Sequence, residues 1–73
     1  MRLEKRSMSI EGHRTSIALE PAFWAALEAI AAREGLPMTA LIARIDAGRA
    51  EADPGQGLAS AARVFALLNA RMD

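Results

Sequence analysis

Alternating apolar and polar residues over His13–Leu19 constrain the fold of this chain more than any other feature. Alternation with period two is typical of a half-buried strand. Ile17 and Leu19 then share one side with His13 and Thr15. The opposite side carries Arg14, Ser16 and Ala18. A strand needs a partner for its backbone N–H and C=O groups, so the source of that partner decides the fold.

Two sources of a partner strand are compatible with the sequence. Glu11-Gly12 is either a two-residue hairpin turn after Ser7–Ile10 or a bulge in one longer strand, since Gly tolerates both geometries. A second copy offers an identical strand, and a two-fold axis lets two such strands pair antiparallel. Because Ser7–Ile10 is short, we expect an intermolecular two-stranded antiparallel ribbon and an intertwined homodimer.

Helical patterns follow the strand. The fold class expected is mainly α with one β-strand per chain and three helices. Pro21 starts the first helix, Gly35 ends it, and the glycines around Pro54 mark a later loop. We divide residues 1–73, one domain, into a basic arm (1–6), a ribbon (7–20), a first helix (21–35), a second (37–51), a loop (52–58) and a third helix (59–72).

Chain length also favours association. A chain of 73 residues buries only about 60% of its unfolded surface, and such small domains often need disulfides, a metal or oligomerisation. The chain has no cysteine and one histidine, so we expect no disulfide, no metal and no cofactor. The dimer core is predicted to contain Ile17, Leu19, Leu27, Ile30, Leu41, Ile42 and Ile45.

The charge distribution and the lack of catalytic motifs narrow the function. The formal net charge is zero, which is unusual for a domain that binds polyanions, but residues 1–16 carry +2 and residues 17–73 carry −2. No glycine-rich phosphate loop occurs and the single histidine lacks a nucleophile, so we do not expect an enzyme. No apolar run is long enough for a membrane span or a secretory signal, and we expect a cytoplasmic protein.

Several short motifs resemble a known family. The order strand, helix, glycine turn, helix is similar to the ribbon-helix-helix superfamily of DNA-binding proteins. A group of short bacterial members with an added C-terminal helix is closer still, and the resemblance extends from about Arg6 to Leu68. It is carried by Arg6-Ser7, Gly12-His13-Arg14-Thr15-Ser16, Leu19-Glu20, Phe23-Trp24, Ile45-Asp46 and Arg63-Val64-Phe65.

The resemblance implies a homodimeric transcriptional regulator, of the bacterial repressor type, that binds double-stranded DNA. Its ribbon would lie in the major groove. Base contacts would come from Arg14, Ser16 and Ala18. Phosphate contacts would come from Met38 and Thr39 at the start of the second helix, where Pro37 lacks an N–H, and from Lys5 and Arg6 in the basic arm.

Alternatives with less dramatic roles remain open. His13 is expected to be a packed or hydrogen-bonded structural residue, and Trp24 to cover the core edge or the dimer partner. An Asp46–Arg63 ion pair would hold the third helix, which packs either in cis or across the dimer. The alternative function is a protein-interaction or antitoxin-like module whose third helix binds a partner through Leu58, Ala61, Phe65, Leu68 and Met72.

Overall fold

Five elements make up the structure, a computed structural model that describes residues 2–70. No helix in this described range is long and apolar enough to cross a membrane. The elements in chain order are strands β1 (Glu4–Ile10) and β2 (His13–Leu19) and helices α1 (Pro21–Glu34), α2 (Met38–Ala52) and α3 (Leu58–Asn69).

The two strands form a hairpin within one chain. β1 and β2 pair antiparallel along their whole length, from Glu4 opposite Leu19 to Ile10 opposite His13. Glu11 and Gly12 join them with φ values of 54° and 80°. Positive φ at both central residues is the signature of a type I′ turn, whose twist matches that of the strands. Of the two geometries left open by the sequence, the structure adopts the hairpin.

The basic arm predicted over residues 1–6 is therefore wrong for residues 4–6, which belong to β1. Their side chains continue the alternation of β1, because Met8 and Ile10 are buried and Arg6 shares their side. The longer β1 gives β2 a complete ladder partner in the same chain. The lack of such a partner, which was the reason for expecting an intermolecular ribbon, does not hold.

A single chain also covers the predicted core. All seven apolar residues expected in a dimer core are buried in the isolated chain, with exposed fractions of 6% or less. Trp24 joins them at 1% exposure. The helices form a layer against the inner side of the hairpin, so the core lies between the hairpin and this layer. Burial of these residues does not require a second copy.

Local signals explain where the helices begin and end. Pro21 occupies the first turn of α1, where its missing N–H costs nothing. Gly35 ends α1 with φ 69°, and its N–H and that of Leu36 bond back to carbonyls of the last turn. α2 and α3 begin after Pro37 and Gly57 in extended conformation. The predicted helix bounds differ from these by three residues or fewer within the described range.

The third helix packs in cis, on a face different from the one predicted. α3 buries the small residues Ala61, Ala62 and Ala66, while Leu58 and Phe65 are half-buried. The predicted apolar seam is wrong at Leu68, which is 77% exposed. Met72 lies outside the described residues, as does the predicted end of the helix at 71–72. Alanine allows close helix approach, which explains why the inward face contains the small residues.

Ion pairs differ from the predicted Asp46–Arg63 contact, which is wrong. Asp46 accepts from Arg49 at 2.8 Å within α2. Arg49 also donates to the carbonyls of Pro54 and Gln56 and so fixes the loop after α2. Arg63 instead donates to Glu20 at 2.9 Å, which connects α3 to the start of α1.

Replacing Gly12 with alanine should destabilise the hairpin turn. A Cβ at Gly12 meets no atom within 4 Å, so the cost comes from the positive φ alone. We expect the free energy of unfolding in urea to fall by about 1 to 2 kcal/mol. Glu11→Asn, at the neighbouring position with φ 54°, should leave the stability unchanged or raise it. Equal effects of the two substitutions would contradict the turn geometry.

Removing Arg63 should change the titration of Glu20. The hydrogen bond from Arg63 lowers the pKa of Glu20 below its ordinary value of 4.5. A lowered pKa means that this contact stabilises the fold above the unfolded-state pKa and is lost as pH falls through the folded-state pKa. In Arg63→Gln, the pKa of Glu20 measured by NMR should rise toward 4.5. An unchanged pKa would show that the ion pair is absent in solution.

Candidate nucleic-acid interface

The outer side of the hairpin, here called the outer face, carries the candidate site. It faces away from the helices, and five of its six side chains are exposed while Ala18 is half-buried. Across the two strands Lys5 lies opposite Ala18, and Ser9 lies opposite Arg14. The six members, alternating with the buried side, are Lys5, Ser7, Ser9, Arg14, Ser16 and Ala18.

Geometry gives the outer face a polar centre and a cation at each end. Ser7 and Ser16 lie opposite each other, and their Oγ atoms are 2.9 Å apart. Residues two apart on a strand are separated by about 6.8 Å, and paired strands by about 4.8 Å. Lys5 and Arg14 are consequently roughly 14 Å apart between their Cα atoms. None of the six side chains is acidic, so the face carries two positive charges.

Lys5 and Arg14 are available for a ligand. Neither forms an ion pair or a side-chain hydrogen bond with any other residue of the range 2–70. Five other arginines do bind groups of the chain, through carboxylates or carbonyls: Arg6, Arg33, Arg44, Arg49 and Arg63. The cations on the outer face therefore differ from most others in having no structural partner in the described chain.

Arg6 was predicted to contact DNA beside Lys5, but the structure separates the two. Arg6 lies on the inner side of β1, with its guanidinium carbon 4.5 Å from the centre of the Trp24 ring. It forms ion pairs with Glu28 at 2.8 Å and Glu4 at 2.7 Å. The hydrogen bonds to Glu28 and then to Glu4 raise the pKa of Arg6 above its ordinary value. Its contacts give Arg6 a structural role in attaching β1 to α1.

Trp24 attaches the hairpin to the helical layer. Its indole Nε1 donates a hydrogen bond of 2.7 Å to the backbone carbonyl of Glu4, at the start of β1. The ring is buried, and Arg6 lies over it. The expectation that Trp24 covers the edge of the core is confirmed. This contact holds the end of β1 from which Lys5 projects.

Met38 and Thr39 lie apart from the outer face, at the start of α2 in the helical layer. Ala40 and Leu41 donate their N–H groups to the carbonyl of Pro37. No backbone acceptor inside the described chain receives the N–H groups of Met38 and Thr39. These two amides, at the positive end of the helix dipole, have the chemistry of an anion site.

His13 is exposed, so the expectation of a packed histidine is wrong. It lies at the turn end of the hairpin, on the inner side but beyond the cover of the helices. Together with Arg14, Asp46 and Arg49 it borders an open cavity of about 490 Å³. Asp46 and Arg49 pair with each other there, which leaves Arg14 as the cation that connects this cavity to the outer face.

Alternation placed Arg14, Ser16 and Ala18 together, and the structure does bring these three to one face. Sequence reasoning missed Ser7 and Ser9, because it treated β1 as too short and its charged start as an arm. The signal was present in the sequence. From Lys5 to Ile10 polar residues alternate with Arg6, Met8 and Ile10, as they do in β2.

Comparison with known proteins agrees with this architecture. The family model described as a ribbon-helix-helix domain matches residues 3–70, almost the whole chain. The chain belongs to the ribbon-helix-helix family. No curated protein and no solved structure gives a significant match. Ribbon-helix-helix domains are commonly found in DNA-binding transcription regulators and in antitoxins, and they are typically not enzymes.

Replacing Trp24 with phenylalanine should weaken this anchor of the ribbon. Phenylalanine keeps an aromatic ring beneath Arg6 but leaves the carbonyl of Glu4 without its donor. An unsatisfied, partly buried carbonyl and the lost ring volume should lower the free energy of unfolding by about 1 to 3 kcal/mol. Amide hydrogen exchange should show faster exchange in β1. Unchanged exchange in β1 would contradict the anchoring role.

Proposed function

We propose that this ribbon-helix-helix protein binds duplex DNA through the outer face of its hairpin and acts as a transcriptional regulator of the repressor type in the cytoplasm. The observation that carries the proposal is an exposed two-stranded ribbon with two unpaired cations, three serines and no acidic side chain on its outer face. Charge is concentrated there although the whole chain is neutral. Local rather than total charge is what a DNA phosphate experiences at short range.

The dimensions of the hairpin suit the major groove. That groove is about 12 Å wide and admits a two-stranded ribbon. The separation of roughly 14 Å between Lys5 and Arg14 corresponds to about four base-pair steps along the groove. One hairpin can therefore interact with a short half-site.

Each side chain of the outer face has a distinct role in this proposal. Arg14 donates two hydrogen bonds to O6 and N7 of a guanine, and the serines bond to base edges of several kinds. Ala18 contacts a thymine methyl, and Lys5 binds a phosphate. The free N–H groups of Met38 and Thr39 bind a further backbone phosphate. With one arginine for direct readout, we expect modest sequence specificity from a single copy.

Homodimerisation forms part of the proposed function, with a consequence from the fold. Since the seven predicted core residues are already buried in one chain, the second copy is not needed to build a ribbon. It would instead add a second ribbon and a second half-site. Two half-sites read together multiply the specificity available from one hairpin.

A second candidate function, a protein-interaction or antitoxin-like module, has one supporting observation. Leu67 and Leu68 on α3 are exposed and apolar. This face of α3 is separate from the hairpin, so protein binding there and DNA binding at the ribbon are compatible.

Substitution of Arg14 tests the proposed interface. Arg14→Ala should weaken binding to a selected DNA sequence by about 1 to 3 kcal/mol and relax the preference at one base position. Arg14→Lys is the matched control, because it keeps the charge but loses the two-pronged donor geometry. It should retain non-specific affinity and lose the base preference. Fluorescence anisotropy over a salt series measures both quantities.

Lys5→Ala supplies the comparison for phosphate binding. This variant should weaken binding to all sequences equally and reduce the slope of log K against log salt by about 1. Sequences for these assays come from selection in random DNA. Absence of salt-dependent binding by the unmodified protein at low ionic strength would exclude DNA binding as the function.

A further inference from the structure

An uncovered apolar stripe lies on α3. Val64, Leu67 and Leu68 are exposed to 45%, 74% and 77% of their surface, and their spacing of three and four residues puts them on one side of the helix. We refer to these three residues as the α3 stripe. Together they form a contiguous apolar surface, which is more informative than single exposed apolar residues.

A groove continues the α3 stripe toward α1. It has a volume of about 160 Å³, and its walls are almost entirely apolar. Phe23 and Ala26 supply the α1 wall, while Ala66 and Leu67 supply the α3 wall. Leu67 belongs both to the groove and to the α3 stripe, so the two form one surface. The small alanines leave room for an apolar side chain from outside.

Charge indicates what kind of partner fits this surface. α3, Leu58–Asn69, contains a single charged residue, Arg63, which is paired with Glu20. The α3 stripe itself is neutral, so it neither attracts a charged partner nor repels a copy of itself. A neutral apolar surface is complementary to another one, and a second copy of this chain provides it.

We propose that two copies of this chain associate through the α3 stripe and its groove. A two-fold axis makes such a surface self-complementary, because each stripe can present a leucine to the groove of the other copy. The apolar area is on the order of 400 Å² per chain, about half of what each partner buries in a stable complex. The dimer should consequently be weak, with a monomer–dimer equilibrium in the micromolar range or above.

The proposed interface is independent of DNA binding. The α3 stripe lies in the helical layer, whereas the outer face of the hairpin points away from that layer. Association would leave both outer faces free. Failure of the proposed function would therefore not affect the dimer, and loss of the dimer would still allow one hairpin to bind a half-site.

Charge exchange at Leu67 tests this interface. In sedimentation equilibrium the unmodified chain should shift from monomer to dimer as its concentration rises. Leu67→Glu and Leu67→Lys should each stay monomeric at concentrations where the unmodified chain dimerises, because like charges would meet across the axis. Mixing the two variants should restore association. Ala47→Glu, at an exposed site on α2, is the matched control and should dimerise normally.

Circular dichroism and thermal unfolding separate association from folding. Since Leu67 is 74% exposed, its variants should remain folded. If either charged variant unfolds, Leu68→Gln provides the same test with a smaller change. A monomeric unmodified chain at all concentrations, or a dimer that persists in the folded charged variants, would overturn the proposal.

Discussion

Pairing of β1 with β2 inside one chain is the interaction on which the rest of this structure depends. The turn at Glu11-Gly12 makes the pairing local, so it closes a very short loop and costs little chain entropy. Alternation then gives the hairpin one apolar and one polar side. The apolar side, with Met8 and Ile17, packs against the helices, and the polar side is left for solvent or a ligand. Core and candidate interface thus have a single origin.

A ribbon built in cis changes how a ribbon-helix-helix chain can assemble. When two chains each contribute one strand, ribbon and dimer form together. Here the ribbon is complete in one chain, and Trp24 and Arg6 fasten β1 to α1. Folding and association are then separate equilibria, so a weak interface elsewhere can control how many ribbons act together without affecting their shape.

Sequence reasoning predicted the helices, the side of Arg14 and Ser16, and every member of the core, because periodicity reports directly which residues share a face. It failed where the outcome depended on competing energies. Whether Glu11-Gly12 turns or bulges depends on the partner strand, and Lys5-Arg6 looked like a charged arm. Arg6 became part of the fold because Glu4, Glu28 and the Trp24 ring, distant in sequence, meet around it.

The third helix shows why an apolar pattern alone does not identify a core. α3 has both alanines and leucines, and burial of leucines would release more free energy per residue. Close approach to α1 and α2 admits only small side chains, so Ala62 and Ala66 lie inward while Leu67 and Leu68 lie outward. Large side chains directed to solvent contribute nothing to the stability of one chain. Their placement is best explained by a surface that is covered when the chain is not alone.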